Sequence, residues 1–166
     1  MTTRRLTAAG LLLLLACAGV RAQDPTPADE ARGRDVLRGL EAARVRVEVV
    51  PADLPGVTAE VVKQGVVERL SAAGLRVVTG DEAHGAPVLV YRVTLFLTSC
   101  GYTGTVEMQL REPVRVARAP GAEAAAVTWQ HSGQVHFDPN AAARLVKGLP
   151  SFVNVFVEER RLANGR

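Results

Sequence analysis

Apolar and polar positions alternate most clearly between Pro87 and Ala117, and this alternation predicts a β-hairpin. One parity of the first arm is entirely apolar and is expected to face the core: Leu89, Tyr91, Val93, Leu95 and Leu97. In the return arm the apolar row is Val106, Met108 and Leu110, and Pro113 then predicts a bulge or an edge. Residues 99–104 contain two glycines and are expected to form the turn.

The segment before the hairpin predicts a strand, a helix and a second strand. Residues 44–50 alternate, with Val45, Val47 and Val49 toward the core. Thr58 can cap a helix that runs to Ala73, where Gly74 ends it. Residues 75–79 are apolar enough to form the second strand, and a helical crossover between two strands favours a parallel, right-handed βαβ unit.

After the hairpin, every second residue from Val127 to Phe137 is expected to face the core along a further antiparallel strand that contains the single tryptophan. Asp138 and Pro139 are typical of a helix start, and the C-terminal helix is expected to break near Gly148 to Pro150. These elements predict an α/β (α+β) two-layer sandwich. A mixed sheet of about five strands, a βαβ unit followed by an antiparallel meander, carries helices on one face.

The N-terminal residues predict export and divide the chain into three regions. Residues 1–22 resemble a signal peptide, with basic residues, a short apolar run and a cleavage site at Val20-Arg21-Ala22. Residues 23–33 form a polar tether, and 34–166 form one α/β domain. The protein is therefore expected in the periplasm or secreted. Alternatively, Leu14 to Cys17 reads as a lipoprotein signal, and lipidation at Cys17 would then be the only attachment to a membrane.

Removal of the signal peptide changes the charge balance. The segment holds three of the 20 basic residues and none of the 17 acidic ones, so the mature chain is formally neutral. Its arginines are scattered and its aromatic residues are few, which argues against nucleic-acid binding. The mature chain contains one cysteine, Cys100, so no intramolecular disulfide can form. We expect a buried or half-buried, inert thiol, and the alternative is a reactive thiol or an intermolecular link.

Candidate catalytic and metal-binding residues are sparse. His131 and His136 have opposite parity on one strand, which separates them unless a bulge intervenes. Asp81, Glu82 and His84 could supply an acid and a base, but no nucleophile in an exposed elbow accompanies them. Nucleotide-binding and zinc motifs are absent from the sequence. We therefore predict no catalytic residue, metal or cofactor, and a protein that is not an enzyme.

Apolar residues outside the predicted core row indicate a surface for a partner or ligand. Val88, Val90 and Phe96 lie on the second face of the first hairpin arm, and Phe152 and Phe156 lie on the C-terminal helix. The alternative is that helices cover both groups and that they belong to the core.

Several stretches carry a resemblance to a protein family: VRVEVVPADLPGVTAEVVKQGVVERLSAAGLRVV, APVLVYRVTLFL, YTGTVEMQLREPVRVAR, TWQHSGQVHF and FVNVF. They resemble a group of small exported bacterial proteins described only as hypothetical, over nearly the whole mature chain. This resemblance implies export and a βαβ-plus-meander plan, without active residues. In architecture the chain is also distantly similar to envelope modules such as the N-terminal domain of the Tol-system propeller protein and the lipoproteins of outer-membrane assembly.

These observations lead to two main functional hypotheses, and a hydrolase that depends on His84 or His131 ranks third. The first is a non-enzymatic module of the bacterial envelope that binds another protein, of unknown identity, through the hairpin edge. The alternative is a carrier or sensor of a small apolar ligand held between the sheet and the C-terminal helix. The sequence does not indicate the oligomeric state.

Overall fold

A computed structural model describes residues 33–51, 56–119, 121–138 and 142–165. The predicted signal peptide, the tether up to residue 32 and Cys17 lie outside these ranges. Within them, the helices are all too short or too polar to cross a membrane.

The described residues form two layers, a five-stranded sheet and a set of helices on one face. The elements are β1 (Ala42–Val50), α1 (Ala59–Ala72), β2 (Arg76–Val77), a 3₁₀ turn (Gly80–Ala83), β3 (Val88–Thr98), β4 (Gly101–Arg115), β5 (Glu123–Phe137), α2 (Ala142–Gly148), a second 3₁₀ turn (Leu149–Phe152) and α3 (Val153–Ala163). The strand order is β2-β1-β3-β4-β5. β1 is parallel to β2 and β3, whereas β3, β4 and β5 form an antiparallel meander. The predicted mixed sheet is confirmed.

Helix α1 begins and ends where the sequence predicts. The Thr58 side chain accepts a hydrogen bond from the backbone N–H of Val61 at 3.3 Å, which satisfies one of the free donors of the first turn. At the other end Gly74 adopts φ +74°, and the N–H of Leu75 donates to the carbonyl of Leu70. This left-handed glycine turns the chain back toward the sheet. β2 is shorter than the predicted 75–79, because only Arg76 and Val77 pair with β1.

The core lies between the sheet and the helices. Val62, Val66 and Leu70 of α1 and Phe156 of α3 are fully buried against the sheet. The sheet contributes the predicted rows of β3 and β4: Leu89, Tyr91, Val93, Leu95, Val106, Met108 and Leu110. The predicted break near Gly148 to Pro150 is confirmed, because the second 3₁₀ turn separates α2 from α3.

The hairpin turn is shorter than predicted. Thr98 pairs with Gly101, so only Ser99 and Cys100 lie between the strands, and residues 102–104 belong to β4. Leu97 is 69% exposed although it shares parity with the buried row of β3. The prediction that Leu97 is buried is therefore wrong, because the helical layer covers this row only as far as Leu95.

A bulge in β5 overturns a second burial prediction. Leu110 pairs with Trp129 and Arg111 pairs with Val127, which leaves Thr128 as the extra residue. The bulge reverses the parity, so Val127 faces away from the core and is 46% exposed. Pro113 itself sits in β4 opposite Ala125. It lies beyond the start of β3, so its missing N–H disrupts no bond to that strand.

Candidate functional site

Among the described residues, no helix covers the sheet face opposite the helical layer. Because paired residues on neighbouring strands share a face, the register arranges this open face in rows. From the start of β3 toward the hairpin turn, the rows are Arg44, Val88, Arg111 and Val127; Arg46, Val90, Gln109 and Gln130; Glu48, Arg92, Glu107 and Ser132; Val50, Thr94, Thr105 and Gln134; then Phe96, Thr103 and His136.

Ion pairs occupy the middle of the open face. Arg92 donates to one oxygen of Glu48 from Nε at 2.9 Å and from Nη2 at 2.8 Å, and Arg46 contacts the other oxygen at 2.9 Å. Arg92 also lies 3.8 Å from Glu107. The hydrogen bond from Arg92 holds the pKa of Glu48 below its usual range. These two arginines and two glutamates pair with one another across β1, β3 and β4, so their charges cancel in the middle of the face.

The turn end of β3 has a free edge. β1 ends at Val50, opposite Thr94, so no described strand pairs with residues 95–98 on that side. Phe96 is 62% exposed and Leu97 is 69% exposed, and they project from opposite faces of the strand. We call residues 95–98 the hairpin edge. On the β1 side this edge has no strand partner among the described residues, and it carries two exposed apolar side chains, whereas Leu95 is buried.

The five residues of the predicted partner or ligand surface lie on two sides of the sheet. Val88 and Val90 face the open side at the start of β3, and Phe96 faces it near the turn. Phe156 is fully buried among the helices and the sheet, and Phe152 is half-buried there. The structure therefore does not bring the five residues into one surface, because the sheet separates the two groups. The predicted lipidation residue, Cys17, lies outside the described residues.

Side chains of the protein itself fill the space between β5 and α3. The Trp129 ring meets the Phe156 ring edge-on at 5.1 Å between centroids, and its Nε1 donates to Glu159 at 2.7 Å. A Cβ placed on Gly133 would lie 2.8 Å from the Phe152 ring. These contacts give no support to a ligand held at this position.

The histidines of β5 do not converge. His131 stacks on Trp129 with 6.3 Å between ring centroids, on the helical side of the sheet. His136 pairs with Thr103 and is exposed on the open face. Among the described residues, no three His, Cys, Asp or Glu side chains are placed to hold a metal ion.

The candidate acid, base and nucleophile side chains lie at opposite ends of β3. Asp81 and Glu82 belong to the first 3₁₀ turn with His84 directly after it, and Glu82 pairs with Arg76 at 3.5 Å. Ser99 and Cys100 form the hairpin turn, about 30 Å away along the strand. Cys100 is free and exposed, so the prediction of a buried or half-buried thiol is wrong. A two-residue turn at the end of a projecting hairpin leaves its side chains in solvent.

The sequence patterns did not predict the basic groove that lies at the start of β3. Arg44, Arg46 and Arg111 surround Val88 and Val90, and the groove encloses about 410 Å³. The alternation of arginine and valine in β1 places Arg44 and Arg46 on one face from the sequence alone. Only the register between β3 and β4 brings Arg111 opposite Val88.

No protein-family model matches the chain, and no curated protein matches it. Among solved structures the chain is similar to PelC from Paraburkholderia phytofirmans. A single-substitution variant of PelC, a dodecamer in space group C2, has 17% sequence identity and a TM-score of 0.46, covering 72% of this chain and 89% of PelC. A PelC dodecamer in space group P6 has 16% identity and a TM-score of 0.45, covering 72% and 88%. Likeness at this level supports no conclusion about this chain.

Proposed function

We propose that this protein is a non-enzymatic, exported module of the bacterial envelope that binds another protein through its hairpin edge. The observation that carries the proposal is the free edge of β3 at residues 95–98, with Phe96 and Leu97 exposed on its two faces. Export rests on the signal-like residues 1–22 and on the resemblance to small exported bacterial proteins.

The chemistry of an unpaired strand edge supports this role. The free N–H and C=O groups of an edge strand can form main-chain hydrogen bonds with a strand of a partner protein. Side chains on alternate faces of the edge then determine which partner binds. Phe96 and Leu97 would then be buried on opposite sides of the added strand. Burial of two large apolar side chains contributes about 3 to 6 kcal/mol before the cost of association.

The proposed interaction is tested by a double substitution, Phe96→Ser with Leu97→Ser, in the tagged full-length chain expressed in its bacterial host. We expect at least a tenfold loss of the protein that co-purifies from envelope extracts, measured by quantitative mass spectrometry. The matched control is Val61→Ser, because Val61 is 43% exposed on α1, in the other layer.

Two results would count against the proposal. One is the absence of any protein recovered specifically with the unsubstituted chain. The other is equal recovery with the hairpin variant and with the Val61 control, provided that circular dichroism shows all three chains to be folded.

The alternative function, transport or sensing of an apolar ligand between the sheet and the C-terminal helix, has less support. Phe152 and Phe156 pack against Gly133 and Trp129 of the sheet. A ligand at that position would have to displace these contacts.

A further inference from the structure

The basic groove lies at the opposite end of the open face from the hairpin edge. We call it the valine groove, because Val88 and Val90 form its floor. Arg44 and Arg111 flank Val88 in one row of the sheet, so their Cα atoms are about 10 Å apart, two strand spacings. Gly85 and Ala86 close one end, and Pro113, Ala124 and Ala125 line the side formed by the extended β4–β5 hairpin.

The guanidinium groups of the groove differ in their partners. Arg46 is paired with Glu48. Arg111 donates to the neutral side-chain oxygen of Gln109, from Nε at 3.1 Å and from Nη2 at 2.7 Å. Arg44 is exposed and has no carboxylate within pairing distance in the described part of the chain. Among the described residues, the two positive charges that flank Val88 therefore have no ion-pair partner.

Acidic residues also lie beside the groove, and their position limits where an anion can bind. Glu112 and Glu123 belong to the β4–β5 hairpin and line its side of the groove. An anionic group is therefore favoured between Arg44 and Arg111, over Val88, and is disfavoured toward the hairpin. The apolar atoms of Val88, which is half-buried, and of the exposed Pro113 and Ala125 remain available to an apolar body.

We propose that the valine groove binds a small organic anion with an apolar body, of which a medium-chain carboxylate is the simplest form. Arginine binds a carboxylate through two parallel N–H groups, and such charge-assisted bonds are stronger than neutral ones. The apolar body would lie along the valine floor and gain from removal of its surface from water. A volume of about 410 Å³ is within the range of small-molecule sites. This binding site is independent of the proposed protein-binding edge.

The competing explanation is that the arginine side chains only shield the valines. Arginine stems often cover apolar surface while the charged group stays in water. Val90 is only 4% exposed although it faces the open side, which fits such cover. The two explanations predict different behaviour toward small molecules. If the arginines only shield the valines, the groove shows neither saturable binding nor a preference for anions.

The test is a titration of the purified full-length chain with octanoate, followed by isothermal calorimetry and by amide chemical shifts. We expect saturable binding with shifts confined to the starts of β1 and β3 and to residues 111–113. Acetate lacks the apolar body and octylamine lacks the negative charge, so each is expected to bind at least tenfold more weakly. Arg44→Gln and Arg111→Gln are each expected to weaken octanoate about tenfold, the loss of one charge-assisted contact.

Arg161→Gln is the matched control, because Arg161 lies on α3 and pairs with Glu158. It is expected to bind octanoate like the unsubstituted chain. The proposal is overturned if octanoate does not saturate, if octylamine binds equally well, or if both groove variants bind like the control. Shifts centred on residues 95–98 would also overturn it, since they would assign the ligand to the hairpin edge.

Discussion

Gly104 is the position at which a single added carbon meets the most rigid surroundings. It pairs with Leu95 across the hairpin. A Cβ at this position would overlap the carbonyl oxygen of Thr94 and lie 2.9 Å from the Cα of Leu95. Backbone atoms in the middle of a sheet cannot move without breaking the ladder. We expect Gly104→Ala to lower the free energy of unfolding by about 3 kcal/mol, measured by urea denaturation.

Gly133 is the matched comparison for Gly104, because its added Cβ would meet a side chain rather than backbone. The nearest atom is a ring carbon of Phe152, at 2.8 Å, and this half-buried ring can turn aside. We expect Gly133→Ala to cost about 1 kcal/mol. An equal cost for the two substitutions would show that the backbone of the β3–β4 hairpin adjusts to the added carbon as easily as the Phe152 ring does.

At the scale of elements, one hydrogen bond ties the central strand to the C-terminal helices. The hydroxyl of Tyr91, fully buried on β3, donates to the carbonyl of Leu149 in the second 3₁₀ turn. Tyr91→Phe leaves that carbonyl without its donor, and we expect a loss of about 2 kcal/mol in the free energy of unfolding. Tyr102→Phe, at a partly exposed site of β4, is the control and is expected to change it by less than about 0.5 kcal/mol.

The buried hydroxyl of Tyr91 should also make the free energy of unfolding depend on pH. This dependence distinguishes the contribution of the hydroxyl from that of the packed ring. Burial raises the pKa of Tyr91 well above the usual value of 10. In the unfolded chain the phenol ionises near pH 10, whereas in the folded chain it stays protonated. The stability contribution is therefore complete below pH 10 and is lost as the pH rises above it. Tyr91→Phe is expected to flatten this decline, and a decline of unchanged steepness would contradict the assignment.

At the scale of the whole molecule, Arg160 joins three separate parts of the helical layer. From α3 it donates to the carbonyls of Leu40 at 2.7 Å, Ala73 at 3.2 Å and Gly74 at 3.4 Å. Ala73 and Gly74 follow the C-terminal end of α1, where a cation is favoured by the helix dipole. Arg160→Met keeps much of the stem and removes all three bonds. We expect it to lower the free energy of unfolding by about 2 kcal/mol, measured in urea.

The neighbouring arginine provides the control for Arg160. Arg161 is exposed and pairs with Glu158 on its own helix at 2.6 Å. Exposed pairs of this kind contribute little to stability. Arg161→Met is therefore expected to leave the urea midpoint nearly unchanged, and an equal shift for the two variants would mean that Arg160 acts only as a surface charge.

Much of the fold could be predicted from local patterns. The period of two in β3 and β4, the stripe of Val62, Val66 and Leu70, and the cap at Thr58 each depend on neighbours within a few residues. The exposure of Leu97 and Val127 could not be predicted in the same way, because their alternation places both in the core row. The exposure of Leu97 depends on how far the helical layer extends over β3. The exposure of Val127 depends on the bulge at Thr128, which only the pairing with β4 reveals.

The sequence by itself determined the types and order of the elements, the parallel βαβ unit and the two-residue alternation of each face, because these follow from short-range periodicity and helix caps. Only the tertiary structure decided which residues from different strands meet. It placed Arg111 opposite Val88 to complete the valine groove, and it ended β1 at Val50, so that no described strand pairs with the hairpin edge on that side. The physical reason is that register and strand ends are set by contacts between distant segments, which no local pattern encodes.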